Sequence, residues 1–387
     1  MTLNFPIGFH EFHKDEGLNF QLNRFYTSGI LSYDELAEIG SKITGFDVWI
    51  ELFLELAREA EEKGDMEKCA LCYRAAQFYT LGNEQDEEGR LLKVVLYEKC
   101  FEAYAKAYAQ EKCIEYDRVP FESGYLPVMI MRHSHKSKGV IVMHGGYDSF
   151  MQEFIRYGMY LYEADYDVYF FEGPGQGEVL NRCNIKMTPQ WEHCVGAVLD
   201  HYHLNEVTLI GISLGGYLAT RAAAYEPRIK KLVMFNLIYD FYGSLRARLG
   251  KVGGKLLDYL TEHPTNFMWK FVEKRMNRMY FANWLFEQGY YIYEGIHTPC
   301  EYFNCIKQYN TRSISKMIHQ DTLVLAGASD IYTIYFQEQV DALINAKSVE
   351  SRLFTKEEHA HQHCQVGNTK LVLDVILDWI ERVDKNA

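Results

Sequence analysis

The sequence is short of positive charge. Against 53 Asp and Glu stand 40 Lys and Arg, a formal net charge of −13 over 387 residues. A nucleic acid or an anionic membrane would on average be repelled, so neither is expected as a main partner. Long apolar runs are missing as well, since none approaches the roughly 18 residues that span a bilayer. The opening stretch, MTLNFPIGFHEFHKDEGLNF, lacks the basic start, apolar centre and small-residue cleavage site of a secretory signal. The 8 prolines and 28 glycines leave no room for long low-complexity segments. The 9 cysteines are odd in number, scattered and without disulfide-framework spacing, which fits a reducing compartment. The expectation is a soluble, cytoplasmic chain with two domains or one large domain and an appendage.

What is present divides into an all-helical front, residues 1–110, and an alternating back, 111–387. Across 32–110 apolar residues recur at helical spacing with no strand signal. Ser32 with Glu35 has the form of a capping box opening the first helix. The run FDVWIELFLELAREAEEKGDMEKCALCYRAAQFYTLG reads as two helices hinged at Gly64-Asp65, with a longer helix over 86–109. Cys69 and Cys72 form a C-x-x-C in this pattern. With no second pair or histidine pair nearby, they read as small residues packed between helices. The hinge resembles a tetratricopeptide pair, but a solenoid needs about three stacked copies and no second copy is found.

After residue 110 the period changes. IEYDRVPF and YLPVMIMRH read as a strand pair, and short apolar strands such as KGVIVMHGG, YDVYFFEG, EVTLIG and IKKLVMFN then alternate with helical segments. That alternation is the signature of a mostly parallel sheet covered by helices on both faces, an α/β architecture. It pauses over 237–315, a stretch crowded with aromatics such as Tyr239, Phe241, Trp269, Phe281, Trp284 and Tyr293. This insertion reads as a cap over a pocket. It resumes with DTLVLAGASD, a strand near SVESRLFT and a final helix, LVLDVILDWIERV.

Gly211-Ile212-Ser213-Leu214-Gly215 is a G-x-S-x-G between a predicted strand and a predicted helix. In that context the serine is raised on a tight turn that tolerates only small neighbours. A serine hydroxyl is a weak nucleophile without a base, and the base needs an acid to orient it. In chain order the acid comes after the nucleophile, and the next strand ending on an acid, TLVLAGASD, points to Asp330. The histidine should precede the last helix, where EEHAHQHCQVGN offers His359, His361 and His363. Alternate histidines can also bind metal, yet nothing else in the sequence calls for one; no metal and no cofactor are expected. An oxyanion needs donors. Leu214 N–H supplies one, and the His144-Gly145-Gly146 loop brings N–H of Gly146 or Tyr147 near. FFEGPGQGE lacks a G-x-G-x-x-G phosphate pattern and reads as a tight structural turn.

HGGYDS, EGPGQGE, GISLGGYLATRAAAYEPRI, GASD and HCQVGN, in that order and preceded by CYRAAQFY, resemble one branch of the α/β-hydrolase superfamily. That branch has an N-terminal helical lid and includes 2,6-dihydroxypseudooxynicotine hydrolase, fungal polyketide-shortening hydrolases and fermentation-respiration switch-like hydrolases. The resemblance implies Ser213 as nucleophile, Asp330 as acid and, among the three histidines, His363, which directly precedes CQ. It also implies a small carbonyl substrate, with hydrolysis of a carbon–carbon bond beside a ketone as one known outcome. Esterase, thioesterase and aminopeptidase-type activities are the alternatives, and a non-catalytic ligand-binding protein is the reading from another class. His144, Glu172 and Asp240 are carried as substrate-contact candidates, and the exposed helical lid could serve a homodimer.

Overall fold

The computed structural model describes residues 3–386. Five helices come first: α1 (Glu16–Thr27), α2 (Tyr33–Lys42), α3 (Phe46–Glu62), α4 (Met66–Tyr79) and α5 (Leu92–Ala107). Sequence reading began the helices at Ser32 and passed over α1. Its start is fixed by Asp15, whose side chain accepts from N–H of Gly17 and Leu18, and it buries Leu18, Leu22 and Phe25. The Ser32/Glu35 capping box opens α2 as read from the sequence. The chain turns between α3 and α4 at Gly64, which has φ +72°, and Asp65 caps α4. Cys69 and Cys72 are buried in the contact of α4 with its neighbours. The helix expected from residue 86 starts later because Asp86 builds a turn first, its side chain accepting from N–H of Glu88 and Arg90.

Eight strands follow: β1 (Glu115–Phe121), β2 (Gly124–Met131), β3 (Val140–His144), β4 (Asp167–Phe171), β5 (Val207–Ile212), β6 (Ile229–Phe235), β7 (Asp321–Gly327) and β8 (Ser348–Phe354). They form one sheet in the order β1-β2-β4-β3-β5-β6-β7-β8. The β1–β2 and β2–β4 pairs are antiparallel and the others parallel. Every residue of β5 and β7 is buried, which is why those strands read as continuous apolar runs rather than alternating ones. The order reverses between β3 and β5, so the loops at their C-terminal ends diverge and leave a crevice, the usual site of ligands in open α/β sheets.

Helices α6 (Ile155–Glu163), α7 (Gly177–Cys183), α8 (Glu192–His201), α9 (Gly215–Tyr225), α15 (Phe336–Ala342) and α16 (Thr369–Lys385) connect or cover the strands. The insertion after β6 is helical: α10 (Phe241–Arg248), α11 (Gly250–Glu262), α12 (Met268–Met276), α13 (Tyr280–Ile292) and α14 (Pro299–Ile306). Short α7 was missed in the sequence because its glycine-rich start reads as turn alone. Among the described residues, no helix is long and apolar enough to cross a membrane.

The front helices share their core with the sheet. One continuous cluster of buried side chains runs from Leu18, Trp49 and Phe53 to Phe154, Ile210 and Trp379. A polar clamp crosses the same boundary. Arg74 on α4, with a side chain 2% exposed, binds Glu153 at 2.8 Å and Asp148 at 3.1 Å in the loop after β3. Arg24 on α1 binds the same two carboxylates, each at 2.8 Å. The Arg74 guanidinium also lies 4.1 Å from the centre of the Phe150 ring. Removing one partner of such a buried pair strands the other charge and typically costs about 3–5 kcal/mol. Arg74→Ala is therefore expected to lower stability by about that amount in urea titration, whereas exposed Lys63→Ala, which breaks a surface pair, should shift it by less than about 1 kcal/mol.

Candidate active site

Ser213 stands on the turn between β5 and α9 with φ +64°, a left-handed conformation that non-glycine residues rarely adopt. The turn is held from both sides: Ser213 N–H donates to Phe235 O at 3.0 Å, and Gly216 N–H donates to Ser213 O at 2.8 Å. Gly211 cannot carry a side chain, because its Cβ would lie 1.9 Å from Gly215 O. Strand and helix approach each other more closely than any other residue type permits.

Three loops converge on this corner. Ser213 Oγ lies 2.8 Å from His363 Nε2, and His363 Nδ1 lies 2.7 Å from Asp330 Oδ2. Asp330 follows β7, its side chain 2% exposed, and its Oδ2 also accepts from Asn236 Nδ2 at 2.6 Å. His363 lies in the loop before α16. Burial disfavours its imidazolium form, but the Asp330 carboxylate outweighs this and holds the ring well above its ordinary 6.5. His361 is instead buried against the Phe9 ring, and His359 lies at the surface.

Opposite the serine, the loop after β3 packs against the elbow. A Cβ on Gly146 would sit 2.6 Å from Leu214 N, so glycine is required for the two backbones to meet. The Gly146 N–H is already spent inside the loop, donating to Ser149 Oγ at 2.8 Å. Among the described residues, no hydrogen bond engages N–H of Tyr147 or Leu214. Of the two N–H groups weighed for this loop, that of Gly146 is engaged and that of Tyr147 is not.

The corner opens into a cavity of about 380 Å³. Its walls come from three parts of the chain: Phe20 and Tyr79 of the front helices, Phe241, Phe281 and Trp284 of the insertion, and Tyr157 and Tyr332 beside the sheet. Arg24 and Asp148, the clamp residues, line it as well.

The comparisons with known proteins bear on the fold. No family model matches the chain. Over 317 residues it is 29% identical to Hydrolase LUC6 of Fusarium sp, a match covering 75% of this chain and 73% of the relative. Over 210 residues it is 33% identical to Hydrolase acrC of Aspergillus aculeatus, covering 51% of this chain and 47% of the relative. A 218-residue match at 29% identity joins it to the 20-hydroxy-prefusarin hydrolase FUS2 of Gibberella moniliformis, covering 52% of the chain and 50% of that protein. The chain thus spans about half the length of two of these relatives. The crystal structure of 2,6-dihydroxy-pseudo-oxynicotine hydrolase superposes with a TM-score of 0.64 at 21% identity, over 92% of this chain and 94% of that one. That of AbyA5 superposes with 0.60 at 14%, over 86% and 85%. The chain has the α/β-hydrolase fold.

Within this hydrolase fold, three residues carried as substrate contacts lie elsewhere. His144 is wholly buried between the rings of Phe171 and Trp191, and its Nδ1 bonds Gly145 O at 3.0 Å. Burial pushes its pKa down to about 4, so it packs as a neutral ring behind the loop. Glu172 is 1% exposed and ties two loops, accepting from N–H of Met151 at 2.7 Å and of Glu178 at 2.6 Å; burial raises its pKa to about 7. Asp240 caps α10, accepting from Gly243 N–H at 2.7 Å, and pairs with Arg312 at 3.1 Å. None of the three lines the cavity.

Asn236, Arg24 and Asp148 were not singled out from the sequence. The one available signal was the Asn that ends the apolar run VMFN, a buried polar group at a strand's C-terminal edge with φ +72°. Arg24 and Asp148 are 124 residues apart and meet only in three dimensions. The geometry makes one titration explicit. In ring-nitrogen NMR, His363 should lose its proton well above pH 6.5, and Asp330→Asn should move that step to lower pH by removing the charge that stabilises the imidazolium.

Proposed function

We propose that the chain is a serine hydrolase acting on a small carbonyl compound. The observation that carries this is the hydrogen-bonded series Asp330–His363–Ser213, which ends on a serine at the floor of an aromatic cavity beside two unengaged N–H groups. In this reading neutral His363 accepts the Ser213 proton as Oγ attacks the carbonyl carbon. N–H of Leu214 and Tyr147 stabilise the oxyanion, which gains charge only as the tetrahedral intermediate forms. His363 then returns the proton to the leaving group, and water repeats the sequence to release the acyl group. Asp330 keeps the imidazole in the required tautomer, and Asn236 in turn holds Asp330.

A ketone whose carbon–carbon bond is cleaved would need a leaving carbanion stabilised by a neighbouring carbonyl or phenol. The wide aromatic walls suit a flat or extended substrate of that kind. The match to proteins named as hydrolases, one of them a 20-hydroxy-prefusarin hydrolase, supports the same class. Ester cleavage uses the same groups and remains the alternative. An aminopeptidase-type reading would need acids gathered round a free amine, and the candidate acids are occupied elsewhere. Glu172 accepts backbone N–H groups, Glu178 binds Arg118 and Arg182, and Asp240 binds Arg312. The front helices, residues 1–110, serve in this reading as a lid, since α1 supplies one wall of the cavity.

A fluorophosphonate probe should label the wild-type protein and fail to label Ser213→Ala. In a screen of aryl esters and 1,3-diketones, Ser213→Ala should lose at least about 10³-fold in turnover, and Asp330→Asn about 10⁴-fold with folding intact. An unlabelled wild type, where control hydrolases react, overturns the reading.

A further inference from the structure

Two histidines and an aspartate meet at the rim of the sheet away from Ser213. The loops of the triad follow the C-terminal ends of strands, whereas this group lies before the N-terminal ends of β3 and β4. β2 ends at Met131, which pairs with Val168 of β4, so the segment leaving β2 runs beside the turn that enters β4. His133 and His135 stand on that segment and Asp165 on that turn. Ligand-capable atoms of the three lie within 4.8 Å of one another, the one such group among the described residues. His135 Nε2 is 2.8 Å from Asp165 Oδ1, and His133 Nε2 is 3.9 Å from the same oxygen. Sequence reading weighed a metal only at the histidines before α16 and expected none. This cluster joins residues 30 apart in the chain, on two different segments.

The three side chains are held by contacts of their own. The His133 ring stacks on Tyr162, centroids 4.0 Å apart and planes 3° from parallel, and its Nε2 lies 3.0 Å from Tyr162 O. Its backbone N–H donates to Asp167 Oδ1 at 2.9 Å. The backbone of Asp165 is fixed as well: its N–H donates to Tyr162 O at 2.9 Å, and its carbonyl accepts from Lys138 N–H at 2.8 Å. Asp165 has φ +74° just after α6, a position where glycine is the usual choice, so the turn itself does not call for a carboxylate. Among the described residues, no lysine or arginine pairs with that carboxylate. Lys138 turns its Nζ to Glu381 instead, at 2.9 Å.

We propose that His133, His135 and Asp165 bind a zinc(II) ion, which staples the loop between β2 and β3 to the turn between α6 and β4. Two imidazole nitrogens and one carboxylate oxygen are a donor set suited to zinc, whereas magnesium and calcium take oxygen ligands. In a tetrahedral site with bonds of about 2.0–2.1 Å, neighbouring ligand atoms stand about 3.3 Å apart. The separations of 2.8 and 3.9 Å to Asp165 Oδ1 bracket that value, so small side-chain rotations would suffice. A water or the Tyr162 carbonyl would complete the four ligands. Charge favours a cation here: Asp167 lies beside His133, and the chain as a whole carries −13. An entry path exists, since the side chains of His135 and Asp165 are 62% and 40% exposed while that of His133, at 12%, anchors the site. The distance in the fold from the serine elbow makes the role structural.

The test is calorimetric titration of zinc chloride into the whole protein, first stripped with a chelator and returned to chelator-free buffer. Wild type is expected to take up one equivalent. Losing a ligand should cost at least what losing an outer-shell partner does, about tenfold in affinity, so Asp165→Asn and the double variant His133→Ala/His135→Ala should each bind that much more weakly. The variant His359→Ala/His361→Ala, which removes the alternate histidines before α16, should bind as wild type does. Zinc should raise the melting temperature of wild type and leave that of the double variant unchanged, because an ion stabilises only a fold that binds it. Cobalt(II) in the wild-type site should give the visible absorption of a four-coordinate ion, and calcium chloride should give no binding. No uptake by wild type, undiminished uptake by the double variant, or calcium bound as tightly as zinc overturns the proposal. None of these readouts depends on Ser213, so they stand whether or not a fluorophosphonate labels the protein.

Discussion

The structure depends on the close approach of backbones at the corner between β5 and α9. Ser213 is held at φ +64° because Gly211 lets the helix start directly over the strand, and Gly146 lets the loop after β3 press against Leu214. A non-glycine residue in this region of backbone space costs on the order of 1–3 kcal/mol, and such strain persists only where the surroundings over-determine it. Here they do. The serine's own N–H is bonded to β6, its carbonyl to the first turn of α9, and its hydroxyl to His363. At the same corner the N–H of Leu214 has no hydrogen-bond partner among the described residues.

That corner is connected to the front of the molecule through charge. Asp148 and Glu153 belong to the loop that carries the Tyr147 donor, and both are gripped by Arg24 and Arg74 from the helical front. Burial alone would protonate Asp148, yet the two guanidiniums hold it below the usual carboxylate range. Isolated buried ion pairs add little net stability, because desolvation offsets the attraction. Their value here is positional: four charged groups with fixed geometry set the loop against α1 and α4, and with it the cavity wall and the N–H proposed as an oxyanion donor.

The parts visible in the sequence are those governed by local rules. Strands β3, β5, β6 and β7 announced themselves as short apolar runs because both their faces are covered. The elbow and the acid after β7 follow from chain order, which leaves three histidines before α16; the resemblance chose His363 among them, and the side chains of Ser213, His363 and Asp330 meet within 2.8 Å. What escaped has non-local causes. Helix α1 begins with a polar mixture, EGLNFQLN, whose Asn19 and Asn23 are buried because they bind the backbone of His10, Phe12 and His13. His144 and Glu172 lie beside conspicuous glycine motifs, yet their roles are to fill space and to tie loops. A sequence motif marks where the backbone is special without saying which neighbouring side chain faces the ligand.

The cavity shows why chemistry is easier to read here than specificity. The residues of the proposed triad all follow strands of one sheet, where a fixed framework sets them apart in chain order. The walls come from α1, from the end of α4 and from α10 and α13, elements as far apart in the chain as Phe20 and Trp284. Wall residues on such separate elements can change without disturbing the elbow, so the fold can keep one mechanism while exchanging substrates. The aromatic walls supply broad apolar contact with little conformational entropy to lose on binding. Selection then falls to the few polar side chains that the walls place among these rings, Gln21, Ser149 and Gln362 among them.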